Sequence, residues 1–262
     1  LNNLRAIYII WYRDMIRFWN DRLRMVGSVV IPILFLFVFS SGLGGSIGFM
    51  SPGVDFGQFL FPGIIGMTVI MNSFMAGVSV VWDREFGFLK EVLVAPINRA
   101  AVALGKTLGA ATIAIIQGAI IMPFAPLVGK TLSPTTVGLL IPAMFLLAIA
   151  IGSLGVLLAS RIRSIEAFQA ITQMLFFPLV FLSGVFFPLQ GIPGWLSDVT
   201  KVNPATYGIA IIRQVTLAEP TGTEFAISFG GNPLSLNQHV LILFGFGLVM
   251  ILLAMKSFGS QD

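Results

Sequence analysis

TTVGLLIPAMFLLAIAIGSLGVLLAS, residues 135–160, contains no charged side chain. An α-helix rises about 1.5 Å per residue, so this stretch can cross the ~30 Å hydrocarbon core of a bilayer. Five further apolar stretches flank it, at 26–47, 57–81, 104–128, 167–187 and 239–255, and none has an acidic side chain in its middle. Six stretches of this kind predict an all-α polytopic membrane protein with six transmembrane helices. The missing acids bear on mechanism. Carriers driven by protons or ions usually keep Asp, Glu or His at membrane depth as relays. A chain without them is expected to draw its energy from elsewhere.

Composition agrees. Hydrophobic residues make up 56% of the chain and charged residues 10%, against about 25% charged in a soluble domain. Six spans in 262 residues leave little for a second domain, so residues 1–262 are expected to form one membrane domain. The net charge of +4 does not imply nucleic acid, because the cations sit at span ends. The chain has no Cys, which excludes disulfides and thiolate metal sites. His239, the only histidine, stands at the start of the last span and is expected to be structural. The chain opens at Leu1 rather than Met, so preceding sequence is expected to be missing. No signal peptide is expected, since the first apolar run is too long and lacks a small-residue cleavage site.

Lys and Arg favour the cytoplasmic side. With both termini cytoplasmic, twelve of the fifteen cations fall on inner segments, leaving Lys130, Lys201 and Arg213 outside. The reverse orientation inverts this ratio. Trp11, Trp19, Trp82 and Trp195 lie outside the apolar centres, as interface aromatics do.

Residues 1–24 predict an amphipathic interfacial helix. Leu4, Ile7, Tyr8, Trp11, Met15, Phe18 and Trp19 follow three-and-four spacing, with Arg13, Asp14, Arg17, Asp21 and Arg24 away from that face. It is either an anchor or a moving element that touches a cytoplasmic partner. The long outer segment is 188–238. Within it, residues 203–218 are apolar enough for a helix but too short to span, which predicts a re-entrant or interfacial helix. Its Arg213 is expected to need water, a lipid headgroup or a carboxylate.

Two GKT triplets, at 105–107 and 129–131, lack the earlier glycine of a phosphate-cradling loop, so this chain is not expected to bind nucleotide. No metal-ligand spacing and no nucleophile–base pair stands out, and the chain alone is not expected to be an enzyme. Gly44/Gly48 and Gly105/Gly109 have the spacing that lets helices approach closely. The polar residues within spans, Asn72, Ser73, Gln117, Gln169, Thr172 and Gln173, are expected to hydrogen-bond between helices. Asn72, Gln169 and Gln173 are also candidates for a translocation path, the two glutamines sharing a helix face. Pro178 is expected to kink the fifth span.

The densest signal is WDREFGFLKEVLVAPINR, residues 82–99. Charged Asp83, Arg84, Glu85, Lys90, Glu91 and Arg99 surround apolar Phe86, Phe88, Leu89, Val92, Leu93 and Val94. This suits a short surface helix ended by Pro96, able to dock on a soluble partner or merely to connect two spans.

This segment resembles the signature loop of permease subunits in type-2 ABC exporters, through Glu85, Gly87, Leu89, Leu93, Pro96 and Arg99. A second match, residues 192–214, resembles the same family through Pro193, Trp195, Leu196, Asn203, Pro204 and Arg213. The style of residues 61–99 looks closest to drug-resistance exporters of the daunorubicin type, with nodulation-factor and polysaccharide exporters as near relatives. The resemblance implies a homodimer, or close heterodimer, of permeases with two copies of a separate ABC ATPase on the cytoplasmic face of the cell membrane. ATP and Mg would then sit on the partner ATPase and no cofactor in this chain. It implies that the loop 82–106 takes up the ATPase motion, through Arg84, Glu85, Gly87, Leu89, Glu91 and Pro96. Trp195, Asn203, Pro204 and Arg213 would lie near the exit. The function implied is export of an amphipathic drug-like or lipid-like compound. The alternatives are export of a polysaccharide, teichoic acid or lipo-oligosaccharide, or, in a different class, a secondary transporter, a channel or a membrane scaffold.

Overall fold

The computed structural model describes residues 2–43, 55–86, 98–162, 164–217, 225, 227–229 and 232–259. The structure is a helical bundle. In chain order its helices are α1 (Asn2–Asn20), α2 (Arg22–Leu43), α3 (Phe56–Phe74), α4 (Ala76–Glu85), α5 (Arg99–Ile121), α6 (Pro134–Arg161), α7 (Ile165–Phe181), α8 (Gly194–Val202), α9 (Pro204–Leu217) and α10 (Leu236–Gly259). Among the described residues, a short hairpin pairs Ser228–Phe229 with Asn232–Pro233. Five stretches of the described residues are long and apolar enough to cross a membrane: α2, α3 continued by α4, α5 with its following turn, α6 and α10. Helix α7 is a shorter apolar helix, at 17 residues near the lower limit for a span. The expected all-α polytopic architecture is present.

Helix α6 is the axis of the bundle. It packs against α10, α5, α3, α9 and α4. Small residues along it let neighbours come close. A Cβ on Gly155 would lie 2.7 Å from the Phe74 carbonyl, and one on Gly77 would lie 2.5 Å from the Gly155 carbonyl. Backbones therefore touch where α3 gives way to α4 at Met75. Three side chains just before that break bond back onto their own helix: Thr68 to the Ile64 carbonyl, Asn72 to Thr68 and Ser73 to Val69. Such back-bonding loosens and bends helices. This corrects the expectation of bonds between helices at Asn72 and Ser73. Thr172 likewise bonds to the Phe168 carbonyl. Gln117 does bridge helices, donating to the Ser28 hydroxyl on α2.

Prolines shape the far end of the third span. Pro123 and Pro126 cannot donate, and residues Met122–Val128 tighten into a 3-10 turn. Gly129, at φ 68°, closes it with its N–H on the Ala125 and Pro126 carbonyls. Pro178 lies in the last turn of α7.

The two short helices that follow α7 differ in kind. Helix α8 leaves Trp195, Val199 and Val202 exposed, as an interfacial helix would. Helix α9 is buried along nearly its whole length and packs among α3, α6 and α10. It is an element of the core.

Candidate functional site: a charged junction at one end of the bundle

Helix α1 lies along α5, and glycine decides where. A Cβ on Gly105 would sit 3.0 Å from the Ile10 Cβ and 3.1 Å from the Ile7 carbonyl, while one on Gly109 would be 3.3 Å from Asp14. The Gly105/Gly109 pair therefore receives α1 of the same chain. Trp11 Nε1 donates to Thr112 Oγ1 at 3.0 Å. Ala6, Ile10, Asp14, Met15 and Phe18 are buried, whereas Leu4, Tyr8, Ile9, Tyr12, Ile16 and Trp19 are exposed. This corrects the face assigned from spacing. Several large apolar residues point outward, and part of the charged set points into the protein.

Those inward charges meet others. Lys106 is two turns inside α5 and only 2% exposed. Its Nζ lies 2.6 Å from Asp83 Oδ2 and 3.2 Å from Asp14 Oδ1, and it also bonds the Ser79 hydroxyl. Asp83, 4% exposed, accepts as well from Arg13 at 2.5 Å, with Arg17 at 3.8 Å. Arg13 reaches Asp14 at 3.5 Å. Buried charges persist only when paired and hydrogen-bonded. Here two carboxylates from α1 and α4 are held by cations from α1 and α5. Asp14, Arg17, Asn72, Ser79 and Lys106 line a small cleft of about 40 Å³ at this point.

Asp83 is the first of three consecutive charges that end the second span. The next, Arg84, turns to the C-terminus of α6. Its Nη1 donates to the Ile162 carbonyl at 2.8 Å and the Ala159 carbonyl at 3.4 Å, and its Nη2 to Ser160 at 3.1 Å. A cation on unsatisfied terminal carbonyls also complements the helix dipole. The third, Glu85, turns to the opposite pole of the next helix. Its Oε2 accepts from the backbone N–H of Ile165, at the start of α7, at 3.3 Å. Ser164 caps the same helix end, accepting from the Ala167 N–H. Close by, Ser160 and Ser257 share a hydrogen bond and Arg161 donates to Ser257, tying α6 to α10.

Residues Asp83, Arg84 and Glu85 thus reach α1 with α5, then α6, then α7. Of the coupling candidates, Arg84 and Glu85 belong to this junction, while Gly87, Leu89, Glu91 and Pro96 lie outside the described residues. The path candidates separate. Asn72 lines the cleft beside Lys106, while Gln169 and Gln173 are exposed on α7. Among the exit candidates, Trp195 is exposed on α8, and Asn203 and Pro204 form the corner between α8 and α9. Asn203 donates to the Leu179 carbonyl at 3.0 Å, closing the end of α7. Arg213 is 2% exposed. It donates to the Gly184 carbonyl at 2.7 Å, and its guanidinium stands 3.9 Å from the centre of the Phe59 ring. A carbonyl and an aromatic face meet it in place of water, headgroup or carboxylate, while its buried Nε has no hydrogen-bond partner among the described residues.

Sequence reading missed Asp14, Asp83 and Lys106 as a unit. A usable signal existed: Lys106 stands in an otherwise apolar helix, where a cation requires a partner. Among the described residues no group of acidic or histidine side chains could hold a metal ion.

The architecture is that of a polytopic α-helical membrane protein whose spans are cross-braced by charges at one end. The chain belongs to the ABC-2 type transporter family, whose profile matches residues 5–217. It is similar to ycf38 of Cyanophora paradoxa, which carries the name transport permease, at 29% identity over 97% of this chain and 89% of that protein. It is similar to nodulation protein J of Rhizobium meliloti at 27% identity, covering 80% and 81% of the two chains. The doxorubicin resistance ABC transporter permease protein DrrC of Mycobacterium tuberculosis is 24% identical over 79% of this chain and 75% of its own. The chain is therefore an ABC transporter permease, a multi-pass membrane protein.

Proposed function

We propose that this permease is the membrane subunit of an ATP-driven exporter that moves an amphipathic drug-like or lipid-like compound out of the cytoplasm. The observation that carries the reading is the junction. The loop that follows Glu85 is rooted in three side chains that grip four other helices. A force applied to that loop is delivered to the whole bundle. A channel or scaffold has no need of such a linkage, whereas a permease driven by a separate ATPase does.

In this reading two ATPase subunits carry ATP and Mg and dock on loop 82–106. The junction end of the bundle faces the cytoplasm, both termini lie there, and the protein resides in the cell membrane. A second permease copy covers α7, where Gln169, Gln173, Met174, Phe177 and Phe181 are exposed together, and the glutamines line the path between copies. Similarity to a doxorubicin resistance permease supports an amphipathic substrate. The test is copurification of an ATPase with the tagged permease, then stimulation of its ATP hydrolysis in liposomes by doxorubicin-like amphipaths. Function without any ATPase would move the chain to the secondary transporters or channels. Stimulation by a lipid-linked glycan alone would make it a glycan exporter.

A further inference from the structure

The three junction side chains are not equally held. Asp83 is buried and bonded to charged partners on two elements. Arg84 makes three hydrogen bonds to the end of α6. Glu85 is exposed and, among the described residues, makes one hydrogen bond, to the Ile165 N–H. A charged pair in a water-poor site resists separation, whereas an exposed single bond competes with water.

The helix at the end of that single bond is also loosely packed. Only Phe168, Thr172 and Val180 are buried in α7, against thirteen residues in α6. Near the junction its one deep anchor is Phe168, whose ring lies against Phe74 and whose edge meets Gly77. A second permease copy would cover the outer face of α7 without adding a tie to this copy's own bundle.

We propose that Glu85 is a positioning residue that tethers the first turn of α7 to the end of the second span. Asp83 and Arg84 keep α1, α4, α5 and α6 together as a frame. Release of the Glu85 bond frees α7, with Gln169 and Gln173 on it, to shift against that frame. This rests on the ATPase-driven reading, in which movement of the following loop pulls Glu85 from its seat.

The test uses the natural lack of cysteine. A single Thr172→Cys on the buried face of α7 is reacted with a water-soluble maleimide in liposomes, with the ATPase bound, with and without ATP and vanadate. Nucleotide is expected to change the labelling rate of the parent. Glu85→Ala should raise the nucleotide-free rate about fivefold, the population change that goes with losing one hydrogen bond, and abolish the nucleotide dependence. Glu85→Gln, which keeps an acceptor oxygen, should stay within about twofold of the parent. An Ile16→Cys reporter on α1 should not respond to either variant. Parental labelling in Glu85→Ala overturns the proposal, as does an equal rise at Ile16→Cys, which would mean general loosening. The nucleotide-free comparison does not require the ATPase. Failure of an ATPase to copurify would therefore sink the exporter reading while the tether is still read.

Discussion

Replacing Lys106 by Met tests whether the buried charges fix α1 to the spans. The substitution keeps length and apolar volume but removes the cation that lies 2.6 Å from Asp83 and 3.2 Å from Asp14. Breaking a buried ion pair from one side typically costs about 3–5 kcal/mol. Arg13 remains at 2.5 Å from Asp83 and 3.5 Å from Asp14, so the lower end, about 3 kcal/mol, is expected. That corresponds to an increase of about 150-fold in the fraction of molecules with α1 detached. Ile10→Cys reports it, because Ile10 is buried against Gly105 and can react with a maleimide only when α1 lifts away. Labelling of Ile10→Cys should therefore rise by about two orders of magnitude in Lys106→Met. Adding Asp14→Asn removes one of the stranded charges and should recover much of the loss, since deleting both partners costs less than deleting one. An unchanged labelling rate in Lys106→Met, in a protein that still inserts and purifies normally, would show that the cluster does not hold α1.

Three further outcomes follow from the same geometry. Gly105→Val drives a side chain into Ile10 and the Ile7 carbonyl and should destabilise the purified protein by about 1–3 kcal/mol; Gly27→Ala, whose Cβ would meet nothing within 4 Å, should not, and equal thermal midpoints for the two would refute the close approach. Arg213→Leu leaves the buried Gly184 carbonyl without its donor, a loss of about 1–3 kcal/mol, and should lower substrate efflux more than the yield of assembled complex; an intact complex with unchanged efflux would count against a role at the exit. For orientation, a cysteine at Lys130 should react with an impermeant maleimide added outside intact cells, while one at Arg5 should not, and the opposite pattern would invert the assigned topology.

Hydropathy alone determined a good deal about this protein. The spans, the helix within residues 203–218 and the helical N-terminus all follow from length, composition and periodicity, which are local properties. The three consecutive charges at 83–85 also stood out, although nothing local says that each reaches a different helix. The tertiary structure decided which face of α1 turns inward, where Lys106 and Arg213 find partners, and that Asn72 lies apart from Gln169 and Gln173. The physical reason is the solvent. In water an apolar stripe must face the core, so its spacing reveals the inward side. In lipid an apolar face is equally at ease outward, and the inward side is chosen by close packing at small residues and by pairing of charges. Those choices join residues 70 to 92 positions apart, as Arg13 meets Asp83 and Asp14 meets Lys106, and only the packed bundle brings them together.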